Sequence, residues 1–287
     1  VRAKVWAFVE IKLKLLFVTV TVFSKKATLV DVVLWKFDYH KHFQLQPLGY
    51  VNNDTLYVHT SDRGDRITIH ETQDGRVMVD NAGDLQRFDD VLRVVIDGGD
   101  GNDEIIIADT FTRKATIRGG TGRDVLTSYA DAEIIFDGGS GNDRLVQLGD
   151  SPVTFFGGSG DDELIGSSGA DKLYGGAGND IIYGDIAGTL YGTDEDEGLG
   201  DGDMIYSGAG DDLIYGQYGD DIIFGDDGAD VLFGQDGDDQ LNAGEGRDEL
   251  YGDEGRDRLM GVSGVNLLVG GKDNDAIIGG TGADTIR

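Results

Sequence analysis

The chain has 287 residues, with 54 Asp or Glu against 24 Lys or Arg, a formal charge of −30, 47 glycines and no cysteine. Acidity on this scale excludes a nucleic-acid footprint, which needs a basic patch, and the missing cysteines exclude a disulfide framework. An acidic, glycine-rich chain stays unfolded unless aliphatic positions recur regularly and its charge is neutralised.

Residues 1–49 are basic and aromatic, and residues 1–50 carry eight basic and three acidic side chains, net +5, against −35 for the rest. The apolar run Leu15 to Phe23 is nine residues long, too short to cross a bilayer, so no transmembrane segment is expected. Lys12 and Lys14 before it give a loose likeness to a signal peptide, but Glu10 and the lack of a small-x-small site before Lys25 oppose it. The alternatives are a strand pair or a segment foreign to the rest of the chain. The first residue is Val rather than Met, which reads as an incomplete reading frame.

Residues 50–156 form a second region. Its turns Gly98-Gly-Asp-Gly-Asn-Asp103, Gly119-Gly-Thr-Gly-Arg-Asp124 and Gly138-Gly-Ser-Gly-Asn-Asp143 start 21 and then 19 residues apart. An earlier degenerate copy runs from Thr60 through Asp65 to Ile67. Between the turns lie β-rich runs such as Arg76–Asp80, Leu92–Ile96 and Glu133–Phe136. Asp74-Gly75 reads as the turn of a hairpin. The expectation is long coils, each with one glycine-aspartate turn, stacked on the third region, and no helix of useful length.

Residues 157–287, that third region, carry nine-residue blocks, unbroken from Ser207 to Arg287; one reads Gly216-Gln-Tyr-Gly-Asp-Asp221-Ile-Ile223-Phe. Position eight is Leu or Ile in every block, from Leu164, Leu173 and Ile182 to Ile277 and Ile286. One inward aliphatic residue flanked by two outward ones fits a three-residue strand. A single block cannot bury it, so the blocks must stack as a solenoid. The expected fold is all-β, a stacked solenoid of short strands. An interruption at 186–200 breaks the period: Asp180 to Asp203 is 23 residues, five more than two blocks. It holds Asp194, Glu195, Asp196 and Glu197, a solvated acidic loop or an additional cation site.

Position six carries the chemistry. Asp162, Asp171, Asp180, Asp203, Asp212, Asp221, Asp230, Asp239, Asp248, Asp257, Asp275 and Asp284 occupy it, with Asp103, Asp124 and Asp143 in the wide-spaced turns. Stacking sets these carboxylates about 4.8 Å apart in columns, where like charges repel unless a cation lies between them. Calcium takes six to eight oxygens from carboxylates and backbone carbonyls. The turn glycines Gly157, Gly160, Gly166, Gly169, Gly175, Gly178, Gly210, Gly216, Gly219, Gly225, Gly228, Gly234 and Gly237 expose such carbonyls. A ladder of several Ca2+ sites is therefore expected, with binding and folding one process. Asn266 replaces the aspartate in the block at Gly261, so that site is expected to bind weakly or not at all.

The blocks Gly175-Gly-Ala-Gly-Asn-Asp180-Ile-Ile182-Tyr and Gly279-Gly-Thr-Gly-Ala-Asp284-Thr-Ile286-Arg resemble the repeats-in-toxin family, whose hemolysin-type calcium-binding repeat is G-G-x-G-x-D-x-aliphatic-x. The likeness covers about 98–287. It implies a right-handed parallel β-roll, a β-helix solenoid with calcium in its turns, in which two blocks make one coil and adjacent coils share ions. It also implies a bacterial protein exported unfolded, often by type I secretion, that folds on meeting extracellular calcium. Members of that export class usually carry a further C-terminal segment, whereas this chain stops within a repeat at Arg287; either that route does not apply or the chain is truncated.

No catalytic constellation is legible. His40, His42, His59 and His70 form no H-E-x-x-H, and no G-x-S-x-G elbow is present. Gly270-Gly271-Lys272-Asp273 lacks the spacing of a phosphate loop. The leading expectation is a calcium-loaded extracellular structural or adhesive module, with cell-surface or matrix components as partners and no catalysis. The others are a non-catalytic tail of a larger secreted enzyme or toxin and a catalytic β-helix. Position-nine aromatics (Tyr174, Tyr183, Tyr206, Tyr215, Phe224, Phe233, Tyr251) read as a stripe packed along the sheet or a weak carbohydrate- or partner-binding face.

Overall fold

A computed structural model describes residues 19–20, 32–33, 49–60, 63–185 and 201–287. Two units separate, 1–47 and 48–287. In the first, Thr19–Val20 pairs antiparallel with Val32–Val33. The signal-peptide-like run as a whole, His40, His42 and the acidic insert lie outside the described residues.

The second unit is a parallel β-solenoid, and among its described residues there is no helix. Each coil contributes one strand to each of two long sheets. Alternate inward residues form the core that runs between them. In the nonapeptide coils the inward residue is the one at position eight: Leu164, Leu173, Ile182, Ile205, Ile214, Ile223, Leu232, Leu250, Leu259 and Leu268 are each 0% exposed. Full burial of such a side chain contributes about 1.5–3 kcal/mol, so the core is assembled one residue per block. Ile277 is partly buried and Ile286 exposed.

The wide-spaced coils are built differently. Their strands Arg93–Asp97, Lys114–Thr121, Ile134–Ser140 and Val153–Ser159 each turn two side chains inward, as in Ile134 with Phe136 and Val153 with Phe155. The rings of Phe136 and Phe155 stack at 5.0 Å. From Thr154, which pairs with Lys172, the coil shortens to 18 residues, and the core narrows to one residue per strand.

Antiparallel strands cover the N-terminal edge of both sheets. Gly49–Asn52 folds back on Thr55–His59. Val77–Asn81 and Asp84–Phe88 form a meander on Arg66–Glu71, with Gly75 at φ 77° in the hairpin turn at Asp74-Gly75. Capping strands of this kind remove an open template for further pairing. Arg113 fastens the hairpin, donating to Glu71 (2.9 Å), to the Gly75 carbonyl (2.8 Å) and to the Val91 carbonyl. Partial burial pushes the Glu71 carboxyl up, but hydrogen bonds from Thr112 and Arg113 hold it below its ordinary value.

The interruption resolves into a different arithmetic from two blocks plus five. Lys172 pairs with Met204 and Ile181 with Leu213, both 32 residues on. That is one 18-residue coil plus 14, so Asp180 and Asp203 are one block interval of nine apart, plus the same 14. The coils on either side stack directly.

Candidate metal centre

The position-six aspartates fall into two columns. The first runs Asp103, Asp124, Asp143, Asp162, Asp180, Asp212, Asp230, Asp248, Asn266 and Asp284, and starts beneath Asp65. In each step the backbone N–H of one residue donates to the side-chain Oδ1 of its counterpart in the next coil, at 2.6–3.0 Å. The second column runs Asp171, Asp203, Asp221, Asp239, Asp257 and Asp275 in the same way, starting from the Val153 N–H. The wide-spaced coils therefore supply only the first column, and the nonapeptide coils supply both.

Bonding through Oδ1 leaves the second oxygen unused. Oδ2 of Asp103, Asp124, Asp143, Asp162, Asp180, Asp203, Asp212, Asp221, Asp230, Asp239, Asp248 and Asp257 is buried and has no hydrogen-bond partner. These residues are 0–2% exposed. Burial above all pushes their carboxyls up against the opposing N–H bonds, and the like charge of a stacked neighbour adds to it at Asp103, Asp124, Asp162, Asp180, Asp203, Asp221, Asp230, Asp239 and Asp257. Asp124 rises to about 6, Asp162, Asp230 and Asp239 to about 7, Asp221 to about 8 and Asp203 to about 9. Orphaned buried carboxylate oxygens are rare because each costs desolvation without return; twelve in register need a common cause.

The glycines at position one explain how Oδ2 is housed. A β-carbon on Gly157, Gly166, Gly175, Gly216, Gly225 or Gly234 would stand closer than 3.0 Å to Oδ2 of its own block's aspartate. Position four is a different constraint. Gly160 (φ 120°) and Gly178 (φ 133°) adopt left-handed backbone, and a β-carbon there would strike the glycine carbonyl of the preceding coil. Gly210, Gly219, Gly228 and Gly237 sit at the same position. Gly169 does not share this stacking, since it rests on Asp150 and Pro152 of a wide-spaced coil.

Two positions depart from the rule. Asp171 has both oxygens engaged: Oδ2 accepts from the Ser167 N–H, and Oδ1 from Val153 (2.7 Å) and the Ser167 hydroxyl (3.2 Å). Asn266 is more informative. Its Oδ1 accepts from the Asp248 N–H (2.9 Å), and its Nδ2 donates to the carbonyls of Gly261 (2.6 Å) and Ser263 (2.9 Å), positions one and three of its own block. Nδ2 occupies the place of Oδ2, as its approach to the β-carbon position on Gly261 demonstrates. By repeat equivalence, the unpartnered Oδ2 of the twelve aspartates stands where Asn266 places a donor.

The profile of the RTX calcium-binding nonapeptide repeat matches residues 94–106, 114–145, 156–186, 197–232, 224–259, 233–268 and 260–287, together more than half of the chain. The chain belongs to the RTX calcium-binding repeat family. No curated protein matches it. It therefore carries a calcium-binding repeat module on a parallel β-solenoid, and the repeat itself is non-catalytic.

The RTX donor set suits calcium. Three hard oxygens from one block, with others from the facing coil, are what that cation takes. Among the described residues no three acidic or histidine side chains gather at one point, so the remaining ligands would be backbone carbonyls.

Position five holds a second ladder that sequence reasoning missed. Side chains of Asn102, Asn142, Asp161, Asn179, Asp211, Asp220 and Asp238 accept the position-five N–H of the following coil at 2.9–3.2 Å. Position six ties each coil to the one before it and position five to the one after. The recurrence of Asn or Asp immediately before the position-six aspartate was the available signal.

The position-nine aromatics form two outer ladders: Phe156, Tyr174, Tyr206 and Phe224 on one sheet, and Tyr183, Tyr215, Phe233 and Tyr251 on the other. Centroids are 4.7–5.4 Å apart with planes within 11°. The ring faces are turned to one another along the stack, which leaves mainly their edges to solvent.

Proposed function

We propose that the two aspartate columns hold a ladder of calcium ions that makes folding of this chain depend on calcium, and that the folded rod serves as an extracellular structural or adhesive module. The observation that carries this reading is Asn266, whose amide protons fill a position where twelve aspartates present an unpartnered oxygen. Each site would take Oδ2 of an aspartate with the carbonyls at positions one and three. The proposed set comprises Asp103, Asp124, Asp143, Asp162, Asp180, Asp203, Asp212, Asp221, Asp230, Asp239, Asp248 and Asp257 with their turn glycines; Asp275 and Asp284 end the columns, and Asp171 is the weakest member. Calcium supplies the positive charge that a sequence of net −30 lacks within its turns.

The assigned place of work is outside the bacterial cell, where calcium is abundant enough for sites with Kd of about 10⁻⁴–10⁻³ M. We assign residues 50–156 and 157–287 to two successive parts of one solenoid, and residues 1–49 to a separate segment. The non-catalytic reading rests on the repeat character of the chain. Metal analysis of the whole chain, equilibrated with millimolar calcium and then gel-filtered at the same concentration, tests the proposal. Several calcium ions per chain, with magnesium failing to displace them, is expected; fewer than one would contradict it.

A further inference from the structure

Gly184 and Asp203 belong to one turn although 19 positions separate them in the chain. A β-carbon on Gly184 would stand closer than 3.0 Å to Asp203 Oδ2 and to the Gly216 carbonyl, the relation that the position-one glycines Gly157, Gly175, Gly216 and Gly234 bear to position six of their own blocks. Asp185 is therefore a position-two residue of that turn. Position two in other turns is glycine or an uncharged side chain, or a carboxylate turned to solvent, as in Asp226 and Asp253.

Asp185 is 2% exposed. Its Oδ2 accepts only a long bond from the Tyr218 N–H (3.3 Å), and its Oδ1 is buried with no partner. Buried Asp203 Oδ2 is likewise unpartnered. The charge of Asp185 is felt by Asp203 and Asp221, and it feels Asp171 and Asp201 in turn. A bare carboxylate buried among others is costly, and among the described residues no cationic side chain answers it.

Building on the calcium ladder proposed above, we infer that Asp185 adds a second carboxylate to the Asp203 turn, creating a divalent-cation site of higher affinity than the single-carboxylate sites. Asp185 Oδ1 and Asp203 Oδ2 are its side-chain ligands, and backbone carbonyls complete the shell. Affinity of oxygen sites for calcium rises with ligand charge, so this site fills first. It lies in the second column between Asp171 and Asp221, so its loading joins the two halves of the column.

The test is calorimetric titration of the whole chain with calcium, for wild type, Asp185→Asn and Asp226→Asn, paired with urea unfolding in chelator. For D185N the tightest phase should weaken by about tenfold, while D226N titrates as wild type. In chelator, D185N should be more stable than wild type, because an uncompensated buried charge has gone. A role confined to accepting the Tyr218 N–H would leave binding intact and would not raise metal-free stability. An unchanged tight phase in D185N, or a fall in its metal-free stability, overturns the inference while the ladder stands. Absence of calcium heat in wild type overturns both.

Discussion

In chelator, the protein at pH 5 is expected to resist urea far better than at pH 8. Burial raises Asp162, Asp180, Asp230 and Asp239 to about 7, Asp221 to about 8 and Asp203 to about 9, from an ordinary 3.8. A folded-state pKa above the unfolded one means that the folded chain binds more protons. The stabilisation is complete below about pH 4 and is lost as pH climbs through about 6 to 9. Each tenfold gain in a carboxyl's proton affinity on folding corresponds to at most about 1.4 kcal/mol, and coupling among neighbours reduces the sum. A difference of several kcal/mol would move the urea midpoint by about 1–2 M. Groups such as Asp238, held low by Arg256, act in the opposite sense but are exposed and weak. Calcium reverses the trend, because its ligands must be deprotonated. Equilibrium unfolding at the two pH values, with and without calcium, checks this; metal-free stability that is flat or rises toward pH 8 contradicts it.

Asp230→Ala is expected to damage more than its own turn. Asp212 donates its N–H to Asp230 Oδ1 (2.9 Å), and Asp230 donates to Asp248 (3.0 Å). Truncation strands the buried Asp212 N–H, at a cost of about 1–3 kcal/mol, and on the proposed ladder it removes an oxygen shared by the ions on both sides. Calcium uptake should fall by more than one ion, and the surviving transition should broaden. Asp230→Asn separates the two effects. Its Oδ1 keeps the N–H bond while its Nδ2 can donate to the position-one and position-three carbonyls, as Asn266 does. That variant should be more stable than wild type in chelator and less stable in calcium. Loss of one ion with unchanged affinity elsewhere would show that the sites are independent.

The solenoid, the inward residue at position eight and the aspartate at position six are all periodic, and a period survives in a single sequence. What was hidden depends on which corner of the coil a block occupies. Asp171 differs locally from Asp180 by Ser167 in place of Gly176, but what that does shows only in the coil: Asp171 rests on a wide-spaced coil and is satisfied by Ser167, whereas Asp180 presents a free oxygen. Asp185 drew no reading from the sequence, because the residues that feel its charge, Asp203 and Asp221, lie beyond the interruption. The antiparallel meander at Val77–Phe88 was legible only in its hairpin turn, since covering a sheet edge is a property of the stack. Position five was overlooked because Asn and Asp there read as ordinary turn residues; its ladder exists only between coils.

If calcium binding and folding are one equilibrium, far-UV circular dichroism of the whole chain at pH 8, titrated with calcium from a chelated start, reads both at once. A cooperative gain of β signal near millimolar calcium, which magnesium does not reproduce, is the predicted result. Full β signal in chelator at pH 8, unchanged by calcium, would contradict it.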